Sequence, residues 1–348
     1  MKVIEMPHKV CAMTCMVNGL EDLYERETNI RLPDRLLLYL SGLLGFVYIK
    51  NKNAPTQHMV FWGANLAKYQ YKALEDVVGF RWQMLANRSF SYTLNKVKEN
   101  INQDRPAILG VLDMYHLPYY EKFYHKIHVP IHYILMVGYD DDRQIALVLD
   151  CDRTEVQEVP YSDLELAWNV NIPGLGKKNT FFIFEFNQKI ADIETIARKG
   201  LLKRANEMLN PPTSMFGVKA MRKLVRELPD WPINLSPQQL DISLRHLVEF
   251  TGNPPVPPNR LTGFYDAPDD HGAGRDGFAD LLRQLDCNYH EPAWSEAANL
   301  FDESARAINE FTDIVVDIIL EKRTSIEQAT STLESITNLE ERAFKLIR

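Results

Sequence analysis

The sequence has little of several features that mark particular classes of protein. Only four cysteines occur among 348 residues, at positions 11, 15, 151 and 287, and their irregular spacing fits neither a zinc motif nor a dense set of disulfides. The net charge of -8 argues against nucleic acid as a partner, because proteins that bind it usually carry a basic surface. The most apolar run, Leu36–Tyr48, is too short and too interrupted to span a membrane.

Two further absences narrow the class of protein. The N-terminus shows no signal-peptide pattern, so we expect a cytoplasmic protein with reduced thiols. Glycine-rich loops of the kind that bind nucleotides are also lacking, and we expect no cofactor. What remains is the composition of a globular protein, with 45% hydrophobic and 25% charged residues and enough length for two domains.

The chain divides into a mixed first half and a helical second half. Apolar patterns predict strands at residues 58–62, 107–112 and 180–186, and helices at residues 94–101 and 160–168. After about Asn187 helical periodicity continues to a final helical pair over Trp294–Arg348, with breaks that include Pro211–Pro212 and Asn253–Pro258. We predict an α+β domain over residues 1–187 and an all-helical domain over residues 188–348.

One pair of strands is predicted most clearly. An apolar run begins at His132 and leads to the turn residues Asp140–Arg143, and a second run ends at Asp150. Antiparallel pairing about this turn would bring His132 and Asp150 side by side.

Cys11 completes a set of residues suited to nucleophilic catalysis. Apolar spacing over residues 11–26 predicts a helix that begins at or near Cys11, and a helix N-terminus favours the thiolate that such catalysis requires. His132 would act as the general base and Asp150 would orient it. Cysteine, histidine and aspartate follow one another in the chain order of papain-like enzymes.

Each of these residues has an alternative. Cys15 lies one helical turn after Cys11 and is the rival nucleophile, although a mid-helix position would give it less help from the helix terminus. The rival bases are His116, His125 and His128. These three and His132 cluster within the span 116–132, but their spacing fits no zinc pattern, so we predict no metal site.

Three stretches of the sequence resemble the butirosin biosynthesis protein H family, including its companion C-terminal domain. The first joins Cys11–Leu20 with Leu36–Tyr48, and the second runs from His132 through Asp140 to Asp150. The third lies in the helical half and consists of Phe216–Leu224 and Gly274–Leu282.

The resemblance implies a papain-like, peptidase C39-like fold used for acyl transfer. An acyl group would pass from the phosphopantetheine thioester of an acyl or peptidyl carrier protein to Cys11, and then to a small-molecule amine, giving an amide. His132 would be the general base and Asp150 the orienting group. Because a thioester is already activated, this chemistry needs no nucleotide. The setting would be the assembly of a specialised, antibiotic-type metabolite.

The chain departs from the family pattern beside the nucleophile. Members often carry histidine directly before the cysteine, but here that position is Val10 and the histidine is His8. The glutamine that papain-like enzymes place in the oxyanion hole is replaced by Glu5. The candidate oxyanion donors are therefore His8 and Asn18, beside the backbone N–H of the nucleophile.

A basic stripe is predicted on one helix of the second half. Lys219, Arg222, Lys223 and Arg226 follow helical spacing, so they share one face. This face is a candidate docking surface for an acidic carrier protein, and a plain solvated helix face is the alternative.

Three functions remain open from the sequence. An amide-forming acyltransferase is the leading prediction. A peptidase, amidase or thioesterase would use the same three residues, and a binding protein could keep the fold without the reaction. Oligomeric state is open as well, with a homo-oligomer among the alternatives.

Overall fold

The computed structural model describes residues 1–12, 14–63, 67–172, 176–187, 189–249, 251, 272–322 and 325–348. The predicted break at Asn253–Pro258 lies outside these residues. The strands, in chain order, are β1 (Lys2–Val3), β2 (Phe46–Lys50), β3 (His58–Trp62), β4 (Phe80–Leu85), β5 (Ala107–Leu112), β6 (His132–Asp140), β7 (Ile145–Asp150), β8 (Arg153–Pro160) and β9 (Phe181–Phe186).

Helices occupy most of the second half of the chain. In chain order the α-helices are α1 (Cys15–Thr28), α2 (Leu36–Leu38), α3 (Ala67–Leu74), α4 (Phe90–Asn102), α5 (Tyr161–Ala167), α6 (Ile193–Leu209), α7 (Gly217–Glu227), α8 (Trp231–Asn234), α9 (Pro237–Val248), α10 (Arg275–Tyr289), α11 (Pro292–Ile319) and α12 (Glu327–Ile347). No helix among the described residues has the length and apolar character needed to cross a membrane.

The chain forms two compact units. The first comprises Met1–Leu38 and Leu66–Ile193, and the second comprises Tyr39–Asn65 and Glu194–Arg348. This division differs from the predicted one at residues 187 and 188, because the segment 39–65 belongs to the second unit. The predicted mixed α and β structure with a helical C-terminal region is present.

The first unit is built on an antiparallel sheet. Its strands lie in the order β4, β9, β5, β6, β7, β8, and β1 also pairs with β6. The predicted strands at 107–112 and 180–186 are confirmed as β5 and β9, and the predicted helices at 94–101 and 160–168 as α4 and α5. Every residue of β5 and β7 is buried, which explains why these strands are continuous apolar runs in the sequence.

The predicted hairpin is confirmed as β6 and β7. The two strands pair antiparallel from Leu135 opposite Leu149 to Asp140 opposite Ile145. Asp140 Oδ1 accepts hydrogen bonds from the backbone amides of Asp142 and Arg143, so the aspartate closes the turn that the sequence predicted.

Helix α1 begins at Cys15, and the predicted start at Cys11 is wrong by one turn. Thr14 is the N-cap residue with φ of -109° and ψ of 18°, and its carbonyl accepts from the amide of Asn18. Cys11 instead lies on the preceding segment, where its amide donates to the carbonyl of Cys151 at 2.8 Å. Residue 11 therefore lies outside the helix, on a segment that is hydrogen-bonded to the residue after β7.

Close packing fixes α1 on the sheet. A Cβ added at Gly19 would lie 3.2 Å from side-chain atoms of Ile108 and Leu135, on strands β5 and β6. Glycine therefore lets the helix axis approach the sheet more closely than any larger residue would. Helix α1 is thus packed against β6, the strand that carries His132.

The second unit contains a hairpin as well as helices, so it is not helical throughout. Strands β2 and β3 pair from Phe46 opposite Trp62 to Lys50 opposite His58. Trp62 Nε1 donates to the carbonyl of Leu247 in α9 at 3.0 Å, which ties the hairpin to the helices. The predicted C-terminal helical pair is confirmed as α11 and α12.

A buried ion pair lies among the helices of the second unit. Arg275 Nε, at the start of α10, donates to Glu340 Oε1 of α12 at 2.9 Å, and both side chains are fully buried. Ser304 and the carbonyl of Ala273 complete the hydrogen bonds of this pair. The charges are thus compensated inside the unit.

Candidate active site

Cys15 is the first residue of helix α1 and is half-buried. Amides in the first turn of a helix have no intrahelical acceptor, and the helix dipole places partial positive charge there. Both effects stabilise an anion, so this position favours a thiolate. The hydroxyl of Thr14 does not compete at the helix start, because it donates to the carbonyl of Cys11 at 2.5 Å.

His132 and Asp150 meet at the open end of the β6–β7 hairpin. His132 Nε2 lies 2.9 Å from Asp150 Oδ1 and 2.7 Å from Oδ2, and both side chains are buried. A carboxylate can only accept here, so Nε2 carries a proton and donates. The juxtaposition that the sequence predicted for these strand ends is observed.

The thiol of Cys15 lies close enough to the ring of His132 to interact with it. Because Nε2 is engaged with Asp150, Nδ1 is the nitrogen left for the sulfur. Burial alone would lower the pKa of His132, but the charges and hydrogen bonds of Asp150 and Cys15 raise it well above its usual value. The three side chains therefore suit a thiolate–imidazolium pair backed by a carboxylate.

Asp150 is kept ionised by its neighbours. Its carboxylate also accepts from the Tyr119 hydroxyl at 2.7 Å and from the Cys151 amide at 2.7 Å. Burial would raise the pKa of this buried carboxyl, yet the charge of His132 and these hydrogen bonds lower it on balance. A carboxylate with three different donors is held firmly enough to orient an imidazole.

Two tyrosines next to the site were not predicted from the sequence. Tyr119 donates to Asp150, and Tyr120 donates to Asp152 at 2.7 Å while its oxygen lies 3.3 Å from His132 Nε2. The available signal was their place in the same segment as the four histidines. Nothing in that segment indicated which side chains turn inward, because it contains few regular elements.

Cys11 does not adjoin His132 in the way that Cys15 does. Its side chain is buried, and burial together with the charges of Glu21 and Asp34 raises the pKa of its thiol. A thiol in these surroundings stays protonated and is a poor nucleophile. The structure thus brings Cys15, and not the predicted Cys11, together with His132 and Asp150.

The two predicted oxyanion donors already have partners. His8 Nδ1 lies 2.6 Å from Asp22 Oδ2, and Nε2 lies 2.9 Å from the carbonyl oxygen of Arg153. Asn18 Nδ2 donates to the carbonyl of Lys9 at 3.0 Å. His8 has no further N–H to offer, so the first-turn amide of Cys15 is the better candidate for binding an oxyanion.

The rival histidines surround Tyr115 instead of Asp150. His128 stacks on Tyr115 with ring centroids 4.0 Å apart, and its Nδ1 lies 2.7 Å from Asp113 Oδ2. His116 and His125 contact the same tyrosine ring. This cluster therefore has its own acidic partner, separate from Asp150.

Among the described residues, one group close enough to share a metal ion consists of Asp150, Cys151 and Asp152. Hydrogen bonds already engage this group, since Asp150 accepts from His132 and Asp152 accepts from Tyr120. Its own burial, and then the charge of Asp150, raise the pKa of the Cys151 thiol well above its usual value, so it is no ready thiolate ligand. We assign no metal role to it.

The predicted basic stripe lies on α7 in the second unit. Arg222 pairs with Glu341, the Lys223 ammonium lies 5.0 Å from the ring centroid of Tyr48, and Lys219 Nζ donates to the carbonyl of Pro211 at 3.3 Å. Arg226 is exposed. The stripe is thus partly engaged within its own unit.

Comparison with known protein families identifies two matches. Residues 14–151 match the family model described as butirosin biosynthesis protein H, N-terminal, and residues 162–253 match a domain of unknown function (DUF4872). A search of curated proteins finds no match. The first match includes Cys15, His132 and Asp150 and begins after Cys11, and the predicted resemblance is confirmed. The match over residues 14–151 therefore supports a butirosin biosynthesis protein H-like family for this part of the chain, and a second domain of unknown function follows.

Proposed function

We propose that this protein is a cysteine acyltransferase that forms an amide. The observation that carries the proposal is the contact of Cys15, at the first turn of α1, with His132, which in turn donates to Asp150. Helix N-terminus, imidazole and carboxylate together provide what a thiolate nucleophile requires. The name of the matched family supports a role in antibiotic biosynthesis, and we infer a transferase from it.

The fold that we propose is papain-like, in the peptidase C39-like variant. A helix that begins with the cysteine packs on an antiparallel sheet, and neighbouring strands of that sheet supply the histidine and the carboxylate. Gly19 supports this arrangement, because it permits the close approach of α1 to the sheet.

The first half-reaction would load the enzyme. The Cys15 thiolate attacks the carbonyl carbon of a carrier-protein phosphopantetheine thioester, and the amide of the first turn of α1 stabilises the oxyanion. The carbon–sulfur bond to the carrier breaks, and the departing thiolate takes the proton from Nδ1 of His132. Acyl-Cys15, neutral His132 and a free carrier thiol result.

The second half-reaction would release the product. A small-molecule amine attacks acyl-Cys15, and Nδ1 of His132 accepts a proton from the amine nitrogen. The carbon–sulfur bond to Cys15 breaks, which restores the thiolate–imidazolium pair and yields the amide. Asp150 stays ionised throughout and holds the ring through Nε2. No nucleotide is needed, because the thioester supplies the driving force.

The carrier is the proposed macromolecular partner. Lys219 and Arg226 are exposed on α7 and could face an acidic carrier surface, although Lys219 also donates to the carbonyl of Pro211; Arg222 is paired with Glu341. Electrostatic docking of this kind would act on the association rate and depend on salt. Charge reversal at Lys219 and Arg226 should lower kcat/KM for a carrier-bound acyl group and leave that for a free pantetheine thioester unchanged.

The decisive test is the intact mass of the protein after exposure to an acyl pantetheine thioester. We expect the mass of one acyl group on the wild-type chain and on Cys11→Ala, and none on Cys15→Ala. Acylation that persists in Cys15→Ala overturns the proposed nucleophile. Addition of a panel of amines then separates the reaction types, because amide formation supports transfer and free acid supports a hydrolase.

A further inference from the structure

His8 lies between the helix that carries Cys15 and the first residue of β8, which follows Asp150 by three positions. Its Nδ1 lies 2.6 Å from Asp22 Oδ2, on the second turn of α1, and its Nε2 lies 2.9 Å from the carbonyl oxygen of Arg153. Only 6% of the His8 side chain is exposed, and the Asp22 side chain is not exposed at all. The ring of His8 thus contacts both Asp22, 14 positions away in the chain, and Arg153, 145 positions away.

Both partners of His8 can only accept hydrogen bonds. A neutral imidazole has a single N–H, so two acceptors at these distances require that both nitrogens carry protons. The ring is therefore an imidazolium. In agreement, Asp22 and the Arg153 carbonyl raise the pKa of His8 even though burial opposes the charged form.

The charges around His8 are balanced. Asp22 accepts from Arg31 at 2.8 Å as well as from His8, and Arg31 also donates to Glu25 at 2.9 Å. Two cations and two carboxylates alternate through this network. Removal of the His8 charge would leave Asp22, which is completely buried, with Arg31 as its remaining cation.

Two further hydrogen bonds near His8 tie the segment before α1 to its surroundings. The amide of Cys11 donates to the carbonyl of Cys151 at 2.8 Å, and Asn18 Nδ2 donates to the carbonyl of Lys9 at 3.0 Å. These bonds hold the segment before α1, and the His8 ring reaches from the body of α1 to the first residue of β8. His8 thus adds a side-chain link between the helix and the sheet, and the proposed mechanism leaves this side chain unused.

We propose that His8 is a positioning residue: its imidazolium joins α1 to the start of β8 and so keeps the Cys15 sulfur in contact with the His132 ring. This inference rests on the proposed function, since it assigns to His8 the support of that same cysteine. Its effect is geometric. A displacement of the reacting group by about 1 Å can lower a rate by roughly 100-fold.

The test measures alkylation of Cys15 by iodoacetamide between pH 5 and pH 9 in the full-length protein, with Cys15 resolved by peptide mass mapping. In the wild type we expect rapid alkylation already near pH 6, as a thiolate–imidazolium pair requires. His8→Ala should shift the midpoint of the profile to higher pH and slow the reaction at pH 6 about tenfold or more. His8→Gln retains one N–H donor group and should fall between the two.

The chain offers a matched control in His128→Ala. His128 also lies 2.7 Å from an aspartate, Asp113, but its side chain is 66% exposed and this partner is not on α1. We expect its profile to coincide with that of the wild type. Circular dichroism and Tm of each variant show whether it is folded. If His8→Ala is unfolded, the alkylation profile of His8→Gln provides the test.

The outcomes distinguish the inference from the proposed function. A wild-type profile like that of an ordinary thiol, with a midpoint near pH 8.5, would mean that Cys15 has no imidazolium partner and would end the proposed function. Reactivity of Cys15 near pH 6 in the wild type that is unchanged in both His8 variants overturns the positioning role alone.

Discussion

His132 Nε2 donates to Asp150 Oδ2 at 2.7 Å, across 18 positions of the chain. The hairpin between them makes this contact almost inevitable, because the first residue of β6 and the last residue of β7 come to the same end of an antiparallel pair. The contact fixes which nitrogen carries the proton and leaves the other nitrogen for the Cys15 sulfur. The reaction proposed for Cys15 depends on this orientation of the His132 ring.

Replacement of the orienting carboxylate should disable the site without unfolding it. Asp150→Asn keeps the size of the side chain but removes the charge that raises the pKa of His132. We expect kcat for amide formation to fall by roughly 100-fold or more, with a smaller change in KM. Asp152→Asn is the control, because Asp152 accepts from Tyr120 and does not adjoin His132 as closely as Asp150 does. Equal losses in both variants would contradict the assignment of Asp150.

Removal of one hydroxyl should test the support of Asp150. Tyr119→Phe deletes the 2.7 Å hydrogen bond to Asp150 Oδ2 and leaves those from His132 and Cys151 in place. We expect the free energy of unfolding to fall by about 1 kcal/mol and kcat to fall several-fold. Tyr92→Phe serves as the control, since Tyr92 is 47% exposed on α4. Chemical denaturation and steady-state kinetics of the two variants provide the comparison, and an unchanged kcat in Tyr119→Phe would argue against a role for the hydroxyl.

Glu21 should make the protein less stable as the pH rises. This buried carboxyl on α1 has an Oε1 without a hydrogen-bond partner, and burial raises its pKa to about 8. A carboxyl whose pKa is higher in the folded state costs stability as the pH rises from about 4.5, its unfolded value, towards the folded value. The cost at pH 7 is on the order of 3 kcal/mol.

Glu21→Gln removes this titration. We expect Tm of the variant to exceed that of the wild type at pH 8 and to approach it near pH 4.5. Glu27→Gln is the control, because Glu27 lies exposed on the same helix. If thermal denaturation from pH 4.5 to pH 9 gives parallel curves for the wild type and Glu21→Gln, the raised pKa of Glu21 is refuted.

The buried ion pair of the second unit should tolerate loss of both partners better than loss of one. Arg275→Met leaves the carboxylate of Glu340 buried without its cation, and we expect a loss of about 3–5 kcal/mol in the free energy of unfolding. The double variant Arg275→Met with Glu340→Leu should recover a large part of this loss. Arg143→Met breaks an exposed pair with Glu158 and should change little. Urea denaturation of the four proteins tests the order, and a double variant no more stable than the single one contradicts it.

Much of the fold could be read from local patterns. The β6–β7 hairpin follows from two apolar runs around Asp140–Arg143, and strands β3, β5 and β9 follow from short apolar runs. Helices α11 and α12 follow from the periodicity of their apolar residues. Strand β8 was missed because most of its residues are exposed, so its sequence lacks the apolar pattern of a buried strand.

The sequence by itself determined that a histidine and an aspartate would meet, because a hairpin is a local structure and its two ends are set by a single turn. It could not decide between Cys11 and Cys15, which lie one helical turn apart. That choice depends on where the segment before the helix lies: the Cys11 amide donates to the carbonyl of Cys151, a contact between distant segments, and the helix begins at Cys15. Distant contacts of this kind also bring segment 39–65 into the second unit and turn Tyr119 and His8 towards the site. Packing in three dimensions, which no local pattern records, decided these features.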